Sequence, residues 1–423
     1  MQATAIDFAP TRPPDDAVVA PRLRGSAADT AAYAAFLLLA VVIHHWLLCF
    51  LNTRGMAVSV AKVALAELLI YAACVPLLLH RLSLRSLIGV FVALGLSGLI
   101  ALARGGHFDP KSARDLLIPL VFVWAGRSFA QGGKSADRPL LAVTAVVLAI
   151  GLVEAALPDL YTRFFNTFNY YVNLGGIQAS SAQVAGQSVT LNGLRPEGIG
   201  RTLLPQLLGP QRVSSVFLEP VSLGNFAVIL MAYGLAKPGR EWRGAAWFVA
   251  AAAALIVLAD SRFGFYMFGL LVLLRLVVRG PMHVLAFVFP VVGACALLAL
   301  AAWAPGDGDN LIGRMTVSGQ YLLGFNELSL LGLRDYATNF GDMGYAYVLS
   351  RFGLPGVALM WLCVFMLPLR DEPARRFRTA MSAYVTLILC VSGTSLFALK
   401  TAGVLWFVFG AMSMHQPPKE DSA

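Results

Sequence analysis

Along this chain, apolar stretches of near-hydrocarbon length alternate with polar breaks, and two of those breaks are long. The apolar stretches fall near 30–51, 58–79, 86–103, 115–131, 139–157, 220–236, 244–260, 263–279, 283–304, 352–369, 377–393 and 396–413. A run of about twenty apolar residues crosses a bilayer as a helix, since a 1.5 Å rise per residue then covers roughly 30 Å. Hydrocarbon offers the backbone no partners, so a spanning segment must satisfy its own groups. The pattern predicts an all-α fold, a polytopic membrane helical bundle of about twelve transmembrane helices. The long polar loops, roughly 158–219 and 305–351, exceed what a scaffold needs, so chemistry is expected there. Residues 1–29 hold Pro10, Pro13, Pro14 and Pro21 and no apolar core. They predict a disordered cytoplasmic tail ahead of an uncleaved first span, with 30–413 as the membrane domain and 414–423 as a second tail.

Composition agrees with the pattern. The chain is 58% hydrophobic and 13% charged, with mean hydropathy +0.71, which excludes an ordinary soluble domain. Cys49, Cys74, Cys295, Cys363 and Cys390 lie inside or at the ends of apolar runs, at no metal-binding spacing. They are expected to be free thiols that pack as small hydrophobes.

Charge then orients the bundle. One set of alternate short connections holds Arg81 and Arg85; Arg127, Lys134 and Arg138; Lys237, Arg240 and Arg243; Arg275 and Arg279; and Arg370, Arg375, Arg376 and Arg378. The opposite set holds Arg54; Arg104, Lys111 and Arg114; Arg262; and Lys400. The richer set belongs in the cytoplasm, with both termini, so both long loops face outward. In a bacterium that places the protein in the inner membrane and the loops in the periplasm. The net charge of +9 is mostly this cytoplasmic fringe, suited to anionic lipid heads. Nucleic-acid binding would need a basic face with aromatic platforms, and none is visible.

The first loop ends in Arg212-Val213-Ser214-Ser215-Val216-Phe217-Leu218-Glu219-Pro220. Proline suits the first turn of a helix and bars its predecessor from helical geometry. Glu219 should therefore sit just before the sixth span, reached by extended or re-entrant backbone that is buried or lines a cavity. The second loop carries Arg314 and Arg334, then Asn339-Phe340-Gly341-Asp342. Residues 337–351 predict a short interfacial helix with Tyr336, Tyr345 and Tyr347 at headgroup level.

The outer face thus gathers Arg195, Arg201, Arg212, Arg262, Arg314, Arg334, Arg351 and Lys400 against few carboxylates. Forked guanidinium donors match phosphate oxygens, so a convergent set beside a bilayer suits a lipid-linked pyrophosphate. A solvated loop charge is the plainer reading for a lone arginine. Arg212 and Arg262 stand out because each lies near a carboxylate and a span end. The tetrapeptide Ser-Arg-Phe-Gly occurs at 261–264 and 350–353, which suggests two arginines held at equal depth. Glu67 lies in mid-span, five residues after Lys62, so it is a site group or a partner of Lys62 or of another helix. His44 and His45 read as packing or interfacial residues.

Three motifs carry no site. Residues 128–135 mimic a phosphate loop without its first glycine, between two spans rather than strand and helix. Asp307-Gly308-Asp309 reads as a polar turn. Gly95 and Gly98 predict close helix packing.

At these residues the chain resembles a known family. The run RVSSVFLEPVSLGNFAVIL at 212–230 resembles the close of the first periplasmic loop in Wzy-type polysaccharide polymerases and related O-antigen ligases. LADSRFGFYMFGLL at 258–271 and NFGDMGYAYVLSRFGLPG at 339–356 resemble two further stretches of that superfamily. The nearest look is an exopolysaccharide polymerase of the xanthan-related kind. The resemblance implies a membrane glycosyltransferase that joins undecaprenyl-pyrophosphate-linked oligosaccharide units to a growing glycan on the periplasmic face. It implies no cofactor, neither nucleotide sugar nor tightly bound metal. Its partners would be the lipid bilayer, a chain-length regulator and a flippase of the same pathway.

On that reading Arg212 and Arg262, with Arg351, clamp the pyrophosphate. Glu219 orients Arg212 or serves as base, with Asp342 the second candidate base. Arg195, Arg201, Arg314, Arg334, Asn339 and Lys400 bind substrate. Related ligases carry a histidine in the second loop; here no histidine lies between 284 and 414, which favours polymerase over ligase. A flippase or other transporter, and a non-catalytic member of an export machine, are the competing classes.

Overall fold

A computed structural model describes residues 27–79, 84–131, 133–176, 211–303, 311–338, 340–341, 343–369, 371–392 and 394–414. Among these, every regular element is helical. The principal helices are α1 (Ala27–Thr53), α2 (Val60–Leu79), α3 (Leu84–Ala103), α4 (Pro110–Ala130) and α5 (Asp137–Ala156). After the short α6 (Pro158–Phe164) and α7 (Thr167–Asn173) come α8 (Pro220–Ala236), α9 (Trp242–Leu258) and α10 (Arg262–Val277). The chain closes with α11 (Phe289–Trp303), α12 (Leu311–Leu323), α13 (Glu327–Leu330), α14 (Gly344–Met366), α15 (Glu372–Val391) and α16 (Leu399–Met412). A helix stands at each apolar stretch read from the sequence. Among the described residues, seven helical segments are long and apolar enough to cross a membrane: 29–53, 60–79, 86–103, 137–156, 239–258, 280–303 and 344–366.

Local chemistry sets the starts. Asp109 caps α4 by accepting from the Lys111 amide at 3.1 Å, with Pro110 in the first turn. Asp371 caps α15 through Ala374 N, and Ser261 caps α10 through Gly264 N at 3.1 Å. α8 and α16 form the centre, buried along almost every residue. α16 lies tight against α4: a Cβ on Gly126 would meet the Phe407 carbonyl at 2.0 Å, so only glycine permits that approach. α3 is the outermost, with 6% of its apolar window buried.

The long segments are not plain loops. The first contains α6 and α7, clasped to the end of α1 by Asn166 N donating to Thr53 Oγ1 (2.9 Å) and Asn173 Nδ2 to Asn52 Oδ1 (2.8 Å). The second contains α12 and α13. Its expected interfacial helix starts at Gly344 rather than near 337 and runs on into the next apolar stretch, kinked at Gly353 (φ 65°, ψ 162°). Tyr345 and Tyr347 are not at a headgroup surface. Both are buried, donating to Pro290 O and to Asp115 Oδ2, so neighbouring helices and not lipid heads take their hydroxyls. Gly95 and Gly98 face open space instead of a neighbouring helix. The cysteines are free thiols, Cys49, Cys74 and Cys390 buried, Cys295 and Cys363 exposed.

Candidate functional site at the loop end of the bundle

The ends of α1, α5 and α9 meet the starts of α2, α4, α8, α10, α14 and α16 at one end of the molecule. The described parts of both long segments pack at that end. At its centre stands Glu219. Pro220 holds it extended (φ −139°, ψ 124°) as the residue before α8. Lys400, 5% exposed at the start of α16, donates to Glu219 Oε2 at 3.0 Å and to the Phe217 carbonyl at 2.8 Å. Ser222 Oγ donates to the same carboxylate at 2.8 Å. Burial works against the Glu219 charge, yet Lys400, Tyr171 and Ser222 outweigh it and hold the carboxyl below the usual carboxylate range. The side chain keeps 29% of its surface, so one edge of the carboxylate stays accessible.

The backbone leading to Glu219 is the re-entrant segment the sequence suggested. Ser215–Phe217 make one tight turn, with left-handed residues at Ser215 (φ 51°) and Leu218 (φ 62°). Val216, Phe217 and Leu218 have no exposed surface. Its polar groups are met by Glu154 of α5, whose carboxylate accepts from Ser214 N and Ser215 N and from Ser214 Oγ at 2.8 Å. Tyr161 of α6 donates to Ser215 O at 2.7 Å. Such buried backbone persists only where its groups are all paired.

Arg212 is buried and ties this segment to the end of α9, its Nε donating to Ala259 O at 3.1 Å while Val213 N donates to Leu258 O. Arg262, in the first turn of α10, is half-buried and has no hydrogen bond or ion pair among the described residues. The two Ser-Arg-Phe-Gly copies therefore differ: one opens a helix, and the other ends at a kink.

A second constellation lies beside the first. Arg351 pairs with Asp109, lies 4.7 Å over the Tyr347 ring, and leaves its buried Nε without a partner. Burial opposes the Asp109 charge, but Ser112 and Arg351 hold its carboxyl below the usual range. Arg104 donates to the carbonyls of Gly332, Ser350 and Arg351 at 2.6–3.1 Å. It thereby fixes the α14 kink against the second long segment. Arg114 bridges Asp115 (2.8 Å) and Glu67 (3.3 Å). Glu67 thus pairs with another helix, whereas Lys62 donates to Ala57 O; a spacing of five puts the two on different faces.

His44 and His45 join the constellations. His45 Nδ1 lies 2.7 Å from Tyr170 of α7, and both Lys400 and Arg114 are within electrostatic reach of its ring.

Of the residues singled out from sequence, Glu219 and Lys400 are brought into direct contact, and Arg212, Arg262 and Arg351 lie at the same end. Arg314 and Arg334 are exposed on the second long segment. Arg195, Arg201, Asn339, Asp342 and the Asp307–Asp309 turn lie outside the described residues. The sequence reading missed Glu154, Asp109, Arg114, Asp115 and Tyr171. A carboxylate near a span end was the available signal for Glu154, Asp109 and Asp115; nothing in the sequence indicated which groups they meet.

Comparison with known proteins finds no matching family model, no matching curated protein and no matching solved structure.

Proposed function

We propose that this protein is a polysaccharide polymerase of a bacterial inner membrane, joining undecaprenyl-pyrophosphate-linked oligosaccharide units on the periplasmic face. The carrying observation is the Glu219–Lys400 pair, its carboxylate accessible along one edge at the bundle end where the described parts of both long segments pack and where arginines gather. In the proposed reaction an acceptor hydroxyl oxygen attacks the anomeric carbon of the donor glycan. The bond from that carbon to the diphosphate oxygen breaks, and the lipid diphosphate leaves with the electron pair. The hydroxyl proton passes to Glu219. A carboxylate held this acidic is a weak base, so its part is to orient the hydroxyl and take the proton late, as the anomeric carbon gains oxocarbenium character. Arg262, in reach of the same rim, neutralises the departing diphosphate. Arg212 holds the re-entrant segment in place, with Arg351 doing the same for α14.

All twelve principal apolar segments are spans on this reading, with both termini cytoplasmic. Purified protein given lipid-linked repeat units, without nucleotide, should yield a ladder of products. Arg262→Lys should cut the ladder at least tenfold with unchanged melting. Arg212→Lys should lower melting too, since a buried acceptor loses its donor at about 1–3 kcal/mol. A wild-type protein that leaves the units unjoined defeats the proposal. Unjoined units gathering on the cytoplasmic side of cells lacking the protein would favour a flippase instead.

A further inference from the structure

Apart from the transfer chemistry, one group of side chains is arranged as ligands without a described role. His44 and His45 of α1 and Glu67 of α2 each present a donor atom, and the three atoms lie within 4.8 Å of one another. His44 is 6% exposed, and its Nδ1 lies 2.8 Å from the Val41 carbonyl. A carbonyl accepts only, so Nδ1 carries the proton and Nε2 holds a lone pair. That buried Nε2 has no partner in the structure. An unpaired buried acceptor of this kind is costly, and a ligand would relieve it.

Each member also has the outer support that metal ligands carry. The Val41 carbonyl fixes the His44 ring, Tyr170 hydroxyl holds His45 Nδ1 at 2.7 Å, and Arg114 grips the Glu67 carboxylate at 3.3 Å. Two imidazoles and a carboxylate are a familiar donor set for zinc, leaving one of four positions open. Ligand atoms at about 2.0–2.1 Å from a tetrahedral ion stand roughly 3.4 Å apart, so the donors need approach one another by no more than about 1.4 Å to hold the ion. The surroundings do not forbid a cation. Arg114 and Lys400 are the positive neighbours, and the carboxylates of Glu67, Asp115 and Glu219 face them. We infer that His44, His45 and Glu67 form a divalent transition-metal site, of the zinc type, at the loop end between α1 and α2.

The test uses full-length protein in detergent, purified without a histidine tag and stripped with chelator. Titration with Zn2+ against a chromophoric competitor should show one ion per chain. His44→Gln and His45→Gln should each weaken it more than tenfold, while His283→Gln, at the opposite end beside Glu372 and Thr379, should bind as wild type. Equal affinity in wild type and His44→Gln, or no stoichiometric zinc in wild type, overturns the site. Should either histidine variant fail to fold, X-ray absorption of zinc-loaded wild type decides. Two imidazole nitrogens at about 2.0–2.1 Å support the site, and a sulfur ligand near 2.3 Å or a single imidazole refutes it. Because no glycan substrate is present, the result is independent of whether the protein polymerises anything.

Discussion

At the scale of single residues, the Glu219–Lys400 contact makes the strongest demand on the chain. Removing one member of a buried ion pair costs about 3–5 kcal/mol, because the other charge is left stranded. The 29% exposure of the Glu219 side chain puts Lys400→Met near about 3 kcal/mol at neutral pH. The pH dependence follows from the sign of the shift. With its folded carboxyl below the reference 4.5, Glu219 adds stability that is complete above that pH and is lost as pH falls through the lower folded value. In Lys400→Met only the Tyr171 and Ser222 hydrogen bonds are left to oppose burial, so the carboxyl rises and its charged form adds less stability. Melting curves of wild type and variant should therefore stand furthest apart near pH 7 and converge on acidification. A gap that is constant or widens toward low pH contradicts the pairing. Both residues were legible in the sequence, Glu219 from the proline after it and Lys400 as a lone cation at a span start. Their contact was not, because it joins positions 181 residues apart and no local pattern encodes which helix ends meet.

At the scale of elements, periodicity and caps locate helices well, but a helix's register against its neighbours depends on tertiary contacts. The second-loop helix shows this. Aromatic and polar residues from 337 to 351 suggested an interfacial element, whereas the structure continues it as α14 through a kink. Gly353 makes the kink possible, since φ 65° with ψ 162° is open to glycine and a Cβ there would meet Leu331 O at 2.4 Å. Arg104 then collects the carbonyls that the break releases. Gly353→Ala should accordingly cost at least about 2 kcal/mol, from backbone strain of about 1–3 kcal/mol together with the clash. It should lower melting in detergent by several degrees, whereas Gly95→Ala, beside open space, should leave it unchanged. Equal melting of both variants would mean that the break is not held as described.

At the scale of the whole molecule, the question is how helices of unequal length share one bilayer. α8 and α16 have 17 and 14 residues, or roughly 26 and 21 Å at 1.5 Å per residue, less than the hydrocarbon thickness. Both are wrapped by other helices along nearly their whole length, so neither has to match lipid. Each is preceded at the loop end by a short helical turn, Ser215–Phe217 and Ser395–Phe397. The two turns place Glu219 and Lys400 side by side at the loop end, where the Glu219 carboxylate keeps an accessible edge and Lys400 is buried behind it. This arrangement requires the second long segment and the α8–α9 connection to lie on opposite sides of the membrane. Single cysteines at the exposed positions Arg334 and Arg240, in a protein whose native cysteines are alanine, test that directly. A membrane-impermeant maleimide should label Arg334→Cys in intact spheroplasts and Arg240→Cys only after lysis. Labelling in the reverse order would put the Glu219–Lys400 end in the cytoplasm, where a periplasmic transfer reaction has no place.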